Sequence, residues 1–226
     1  MTSLDYRADQ ELESDSITKA VKAAGLPYAV NLSSVGAHAS SGTGPILGIH
    51  GAEKKLNAIE RLNVLHLRAA YFMENHFAAM SMVQMMGFVG GALKPDLKMP
   101  MIATRDIGAH AAERLLNLDF SGKQLQELQG ERDLSMVDVT AVIAKAIAKP
   151  DLHYIQFSYQ QVEQTLLQMG TPAKTAACFI EMFQGLNNGI VAPLEPRSPQ
   201  NSSPTSIETF VKEAFLPAYH GRAVSA

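Results

Sequence analysis

The chain has 226 residues, of which 46% are hydrophobic and 18% charged, and its formal net charge is −3. A chain of this length can bury a core of its own, and its single cysteine excludes internal disulfides and favours a reducing compartment. The near-neutral charge argues against nucleic acid as the main partner, and no apolar run reaches the ~18 to 20 residues that cross a membrane. We therefore predict a cytoplasmic protein with no membrane partner.

The first third of the chain predicts helices and strands in alternation. It contains, in chain order, a helix at 16–24, a strand at 28–32, a helix at 45–60 and a strand at 64–67. This order is typical of a parallel sheet whose strands are joined by helical crossovers. Since ligands bind outside the carboxyl ends of such strands, we expect function in the loops 33–37 and 69–75.

Beyond residue 76 the pattern changes to longer helices with short strands between them. The predicted helices are 77–86, 107–116 capped by Asp106, 136–147 capped by Ser135, 159–169, 172–187 capped by Thr171, and 206–216. The predicted strands are 99–103 and 154–157, and the segment 193–204, rich in Pro, Ser and Asn, is a predicted loop.

A run of glycines at 42–48 precedes the second predicted helix. Glycines before a helix can let backbone N–H groups approach a phosphate. A dinucleotide fingerprint follows its strand directly, whereas here a ten-residue loop intervenes and Pro45 removes one N–H donor. We therefore interpret this run as a flexible loop rather than a phosphate site.

Three other features have a structural and a functional interpretation. His50 with Glu53, and His110 with Glu113, have helical spacing but lack the third ligand that a metal site needs, so no metal is predicted. Cys178 lies among apolar residues and is expected to be a buried small hydrophobe. The methionines between 73 and 101 favour core packing, with an adaptable lining for a flat apolar ligand as the alternative.

Several segments together resemble the NmrA-like family of atypical short-chain dehydrogenases/reductases. They are Leu-Ser-Ser-Val-Gly-Ala at 32–37, Ser-Gly-Thr-Gly-Pro-Ile-Leu-Gly-Ile-His at 41–50 with Ala-Glu at 52–53, His-Leu-Arg at 66–68 with Tyr-Phe-Met-Glu-Asn at 71–75, Ile-Ala-Thr-Arg-Asp-Ile-Gly-Ala-His-Ala-Ala at 102–112, Met-Phe-Gln-Gly-Leu-Asn-Asn-Gly at 182–189, and the segment 204–210. These segments are distributed over nearly the whole chain.

The resemblance implies a Rossmann fold that binds NADP or NAD and a smaller carboxyl-terminal substrate region. By position, Ser33, Ser34 and Val35 would border the nicotinamide, and His50 would face the pocket as the candidate catalytic residue. Three more residues, Tyr71, Phe72 and Asn75, would close over the cofactor. The implied substrate is small, flat and electrophilic, quinone-like or azo.

The chain departs from the family pattern in two ways. The opening strands and the glycine-rich phosphate turn are missing, so we predict an α/β fold with an incomplete Rossmann-like parallel sheet. Residues 1–110 would form its carboxyl-terminal portion, and 111–226 a smaller, mainly helical substrate region interleaved with it. The usual catalytic tyrosine is also missing, because Ile46 stands in its place if His50 occupies the place of the lysine.

An incomplete sheet would leave the strand at 28–32 without a neighbour on one side. We therefore expect a homodimer through that edge, a requirement for another partner, or a degenerate gene product. Three functional hypotheses stay open: an oxidoreductase, a non-catalytic protein that senses the nucleotide, and a truncated remnant that binds no cofactor.

Overall fold

The computed structural model describes residues 5–221, which form a mixed α/β protein with 49% helix and parallel strand pairs. The chain divides into two compact units, and each is built from three separate stretches. Among the described residues, the first unit comprises 5–69, 109–127 and 159–196, and the second 70–108, 128–158 and 197–221. Whether the regions 1–110 and 111–226 divide cofactor and substrate binding stays a prediction.

The first unit is a three-stranded sheet with helices. Its elements are α1 (Tyr6–Ala24), β1 (Tyr28–Ser34), α2 (Ile46–Asn57), β2 (Asn63–Ala69), β6 (Lys123–Leu128, whose last residue lies in the second unit), α6 (Tyr159–Gln168) and α7 (Ala173–Asn187). The strand order is β1-β2-β6, and β1 and β2 run parallel. The predicted Rossmann-like parallel arrangement is therefore confirmed.

The second unit carries shorter strands. Its elements are β3 (Tyr71–Phe72), a 3₁₀ helix (Met73–Ala79), α3 (Met80–Met85), β4 (Val89–Gly91), β5 (Met99–Ile102), β7 (Asp133–Leu134), α5 (Met136–Ala146), β8 (Tyr154–Gln156), α8 (Ile207–Phe210), a π-helical segment (Val211–Phe215) and α9 (Leu216–Tyr219). The boundary between the units falls inside α4 (Thr104–Asn117). Two small sheets have the orders β3-β5-β7 and β4-β8.

Each unit buries apolar residues of its own. In the first, Leu56, Leu62 and Val64 are 5% exposed or less and pack with residues of α1 and β1. In the second, the half-buried Phe77 ring lies 5.5 Å from the ring of Phe210, which is buried. Within residues 5–221 no helix is long and apolar enough to cross a membrane.

The structure corrects three predicted helix boundaries. Helix α1 begins at Tyr6 rather than at residue 16, because the Asp5 carboxylate accepts a hydrogen bond from the Ala8 N–H and caps an earlier start. Asp106 lies in the first turn of α4 instead of capping it, and the Glu74 carboxylate accepts from the Thr104 N–H at 2.9 Å. The last predicted helix continues as a π-helical turn and α9.

Candidate functional site

A buried polar cluster joins the carboxyl ends of β1 and β2 to α2. Ser33 and Arg68 are register partners on the two strands. The Arg68 guanidinium donates to both oxygens of Glu53, with Nε–Oε1 at 2.9 Å and Nη2–Oε2 at 2.7 Å. The Ser33 hydroxyl donates to the same carboxylate at 2.5 Å, and all three side chains are buried. The Glu53 carboxylate therefore accepts three hydrogen bonds from this chain's own groups.

Burial and hydrogen bonding act on Glu53 in opposite directions. Burial alone would raise the pKa of the carboxyl, but the hydrogen bonds from Arg68 and Ser33 outweigh it and hold the pKa below its usual value. Glu53 is therefore anionic at neutral pH, and it orients the Ser33 hydroxyl instead of supplying a proton.

His66 extends the buried polar groups along the same two strands. Its Nδ1 lies 3.0 Å from the Asn31 amide nitrogen, and its Nε2 lies 2.9 Å from the Asn57 side-chain oxygen. An amide nitrogen can only donate and an amide oxygen can only accept, so the imidazole is neutral with its proton on Nε2. Burial, with Arg68 nearby, lowers the pKa of His66 and keeps it in this form.

His50 on α2 has one ring nitrogen bound and the other buried. Its Nδ1 lies 2.6 Å from the carbonyl oxygen of Ala37, which requires a proton on Nδ1. Its Nε2 is buried and lacks a hydrogen-bond partner among the described residues. This nitrogen is therefore an available acceptor in the first unit.

The glycine loop before α2 packs closely against α7. A Cβ on Gly44 would lie 2.2 Å from the carbonyl oxygen of Cys178, and one on Gly185 would lie 2.4 Å from that of Gly42. The Gly42 N–H also donates to Glu181 at 3.0 Å. These glycines allow the loop and the helix to approach each other, and Cys178 is buried as predicted.

In the second unit, Tyr71 and Asn75 share a side-chain hydrogen bond. Burial raises the pKa of Tyr71 to about 12, and the bond with Asn75 opposes that rise. The ring of His76 lies 5.8 Å from that of Tyr71, and burial lowers its pKa to about 4. Neither group exchanges a proton readily near neutral pH. Phe72 is half-buried beside Tyr71 on β3.

The structure distributes the sequence-predicted residues between the two units. Ser33, Ser34 and Val35 stand together at the end of β1 in the first unit, which also contains His50. The hydroxyl of Ser34 donates to the Val35 carbonyl. The second unit contains Tyr71, Phe72 and Asn75. Their roles toward a cofactor stay predictions.

Sequence reasoning missed the roles of Glu53 and Arg68. Arg68 lies in β2, where the neighbouring Leu65, Leu67 and Ala69 are all buried. A charged residue inside such an apolar strand needs a buried counter-ion, and this requirement was the signal available in the sequence.

Comparisons with known proteins identify the fold. No protein-family model matches the sequence, and no curated protein matches it. A nucleoside-diphosphate-sugar epimerase from Staphylococcus aureus is 17% identical with a TM-score of 0.74, over 94% of this chain and 75% of that one. An NADPH-dependent quinone oxidoreductase from Escherichia coli, solved with NADPH, is 20% identical with a TM-score of 0.68, over 96% and 68%.

NmrA, a negative transcriptional regulator solved in complex with NAD, has the same fold as well. It is 15% identical with a TM-score of 0.59, over 92% of this chain and 70% of that one. At identities this low the likeness shows the fold alone. The chain therefore has the Rossmann-like fold of these proteins, which supports the NmrA-like resemblance of its motifs.

Proposed function

We propose that the chain is an NmrA-like, NAD(P)H-dependent oxidoreductase that reduces a flat electrophilic acceptor of the quinone-like or azo type. The observation that carries the proposal is the fold likeness over 96% of the chain to an NADPH-dependent quinone oxidoreductase. The motif resemblance supports the same class independently. The single cysteine favours the cytoplasm as its compartment.

The groups beyond β1 suit the nicotinamide end of NADP or NAD. His50 Nε2 is buried and has no hydrogen-bond partner within residues 5–221, and a carboxamide N–H is the kind of donor that it lacks. Ser33, Ser34 and Val35 are proposed to border the ring, with Ser33 held in place by Glu53. On the strength of the resemblance, Tyr71, Phe72 and Asn75 are proposed as further cofactor contacts.

The chemistry that a bound reduced nicotinamide supplies is hydride transfer. A quinone that accepts one hydride and one proton becomes a hydroquinone, and solvent can supply the proton. A tyrosine–lysine relay is then unnecessary, which agrees with the absence of a tyrosine between Tyr28 and Tyr71 in the sequence. With pKa values of about 12 and about 4, Tyr71 and His76 are poor proton donors near neutral pH, which supports solvent as the source.

A nucleotide sensor without catalysis is the second candidate. It is favoured by the missing tyrosine and by the fold likeness to NmrA, a negative transcriptional regulator solved with NAD. A remnant that binds no nucleotide is the third. The three differ in two observables, cofactor binding and acceptor-dependent oxidation.

The test is a calorimetric titration of NADPH and NADH, followed by an assay of their oxidation with a quinone and an azo dye. We expect binding and oxidation by the wild type, and about tenfold weaker binding by His50→Leu, since a leucine has no acceptor and the hydrogen bond is lost. His153→Leu is the matched control, because His153 also binds a main-chain carbonyl through Nδ1 but is exposed. Binding without oxidation would identify the sensor, and a folded chain without binding at millimolar cofactor would identify the remnant.

A further inference from the structure

Strand β1 has an open edge. It stands at the end of the order β1-β2-β6, and within residues 5–221 no strand pairs with its other side. The Pro27 carbonyl accepts from the Asn63 N–H, and the Val35 N–H donates to Ala69, so the odd-numbered residues bond to β2. Because backbone groups alternate in direction along a strand, Tyr28, Val30, Leu32 and Ser34 turn their N–H and C=O groups toward the open edge.

This edge lacks two of the features by which proteins prevent strand pairing, charged side chains and proline. All seven residues of β1 are uncharged, and none is a proline. Leu32 on this strand is 53% exposed. The strand at the opposite end of the sheet, β6, begins with the exposed, charged Lys123. Edge-to-edge association is therefore favoured at β1 over β6.

We propose that two copies of this chain pair antiparallel through the open edges of their β1 strands, around a two-fold axis at Asn31. In this register Val30 of one copy lies opposite Leu32 of the other, and Tyr28 lies opposite Ser34. All four are residues whose backbone groups face the open edge, so each opposed pair exchanges two N–H···O bonds. The pairing uses every residue of β1 and joins the two sheets into one.

A second copy fits this edge better than a charged partner does. The strand offers no charge for a complementary strand to recognise, and two uncharged copies approach without repulsion. The contact places the exposed Leu32 side chain beside the apolar Val30 of the other copy, twice per dimer. The interface is isologous, as a two-fold axis requires.

The first test is the mass of the full chain in solution, measured by sedimentation equilibrium over a range of concentrations. We expect a dimer, and we expect Leu32→Lys to raise its dissociation constant about tenfold or more by placing a charge on the edge. Leu125→Lys on β6 is the matched control, since Leu125 is a comparably exposed leucine at 42% on the opposite edge strand. The proposal would be overturned if the wild type were a monomer at every concentration. It would also be overturned if both variants weakened the dimer equally, or if neither did.

The second test determines the register in which the two β1 strands pair. Residues directly opposite each other in a non-hydrogen-bonded antiparallel pair have Cα atoms about 4.5 Å apart, within the range that a disulfide spans. Asn31→Cys should therefore cross-link to itself in the dimer under mild oxidation. Ala29→Cys, which faces Ser33 of the other copy, should not. Cross-linking through residue 29 but not 31 would contradict the proposed axis.

Discussion

The Arg68 guanidinium balances the negative charge of the buried Glu53 carboxylate. Its side chain is 9% exposed and that of Glu53 is 7% exposed, so both charges are largely removed from water. A pair of this kind contributes little net stability over apolar residues, but breaking it leaves one charge without a partner. The buried pair is therefore expected to be sensitive to the loss of either member.

We expect Arg68→Met to lower the free energy of unfolding by about 3 to 5 kcal/mol, because Glu53 would be buried unpaired. Urea titration at neutral pH measures the change. Arg132→Met is the control, since Arg132 pairs with Glu208 in an exposed position, where such pairs contribute about 1 kcal/mol or less. Adding Glu53→Gln to Arg68→Met should restore part of the loss. Equal effects of Arg68→Met and the control would contradict the buried pair.

Burial of His76 predicts that the free energy of unfolding depends on pH between about 4 and 6.5. Burial lowers its pKa from 6.5 to about 4, so between these values the unfolded chain binds a proton that the folded chain does not. Its stabilising effect is present above pH 6.5 and is lost as the pH falls toward 4, by up to about 3 kcal/mol. Urea unfolding of wild type and His76→Leu at pH 7 to 4 measures it, and the variant should show the flatter profile. His153→Leu, at an exposed position, should leave the slope of the wild type unchanged.

At the scale of elements, the packing of the glycine loop on α7 can be tested with two glycines of similar backbone conformation. Gly44 has φ +57° and Gly25 has φ +62°, but only Gly44 lies against other atoms. We expect Gly25→Ala to cost about 1 to 2 kcal/mol from backbone strain alone. Gly44→Ala should cost about 3 kcal/mol or more, because its Cβ would overlap the Cys178 carbonyl. Equal losses in thermal or urea unfolding would show that the close packing adds nothing.

Elements whose signals are local were predicted well. Ser135 caps α5 with a reciprocal capping box, and Gly25 ends α1 in the left-handed conformation, so both boundaries follow from nearby residues. The first half of α1 was missed because its residues are mostly polar or acidic and show no apolar face at helical spacing. Distant residues contact it: Lys174 pairs with Asp5, and the Arg7 guanidinium pairs with Glu181. Such contacts leave no local periodicity.

The candidate site was predictable only in part for the same reason. The end of β1 could be located, because alternating helices and strands indicate which loops follow parallel strands. The Glu53–Arg68 pair could not, since its members lie 15 residues apart in different elements and meet only after β2 pairs with β1. The sequence likewise does not show that Nε2 of His50 is an acceptor. Nε2 has this role because the Ala37 carbonyl, which the loop brings to α2, accepts a hydrogen bond from Nδ1.

At the scale of the whole molecule, cofactor binding should stabilise the folded chain. A ligand at one hundred times its dissociation constant adds about 2.7 kcal/mol, which for a chain of this size raises the Tm by roughly 5 to 10 °C. All the residues of the first unit that we propose as cofactor contacts would touch the nicotinamide, and none would touch the ADP-ribose part. These residues are Ser33, Ser34, Val35 and His50. NADH should therefore raise the Tm more than ADP-ribose, which lacks the nicotinamide.

The His50→Leu variant, which has no acceptor at this position, makes this expectation specific. It should reduce the shift caused by NADH while leaving any shift caused by ADP-ribose unchanged, because only the former offers a carboxamide to Nε2. A thermal melt with each ligand at equal concentration measures both. If the variant loses both shifts equally, His50 acts on the fold of the unit; if ADP-ribose stabilises the chain as much as NADH does, the nicotinamide does not bind at the end of β1.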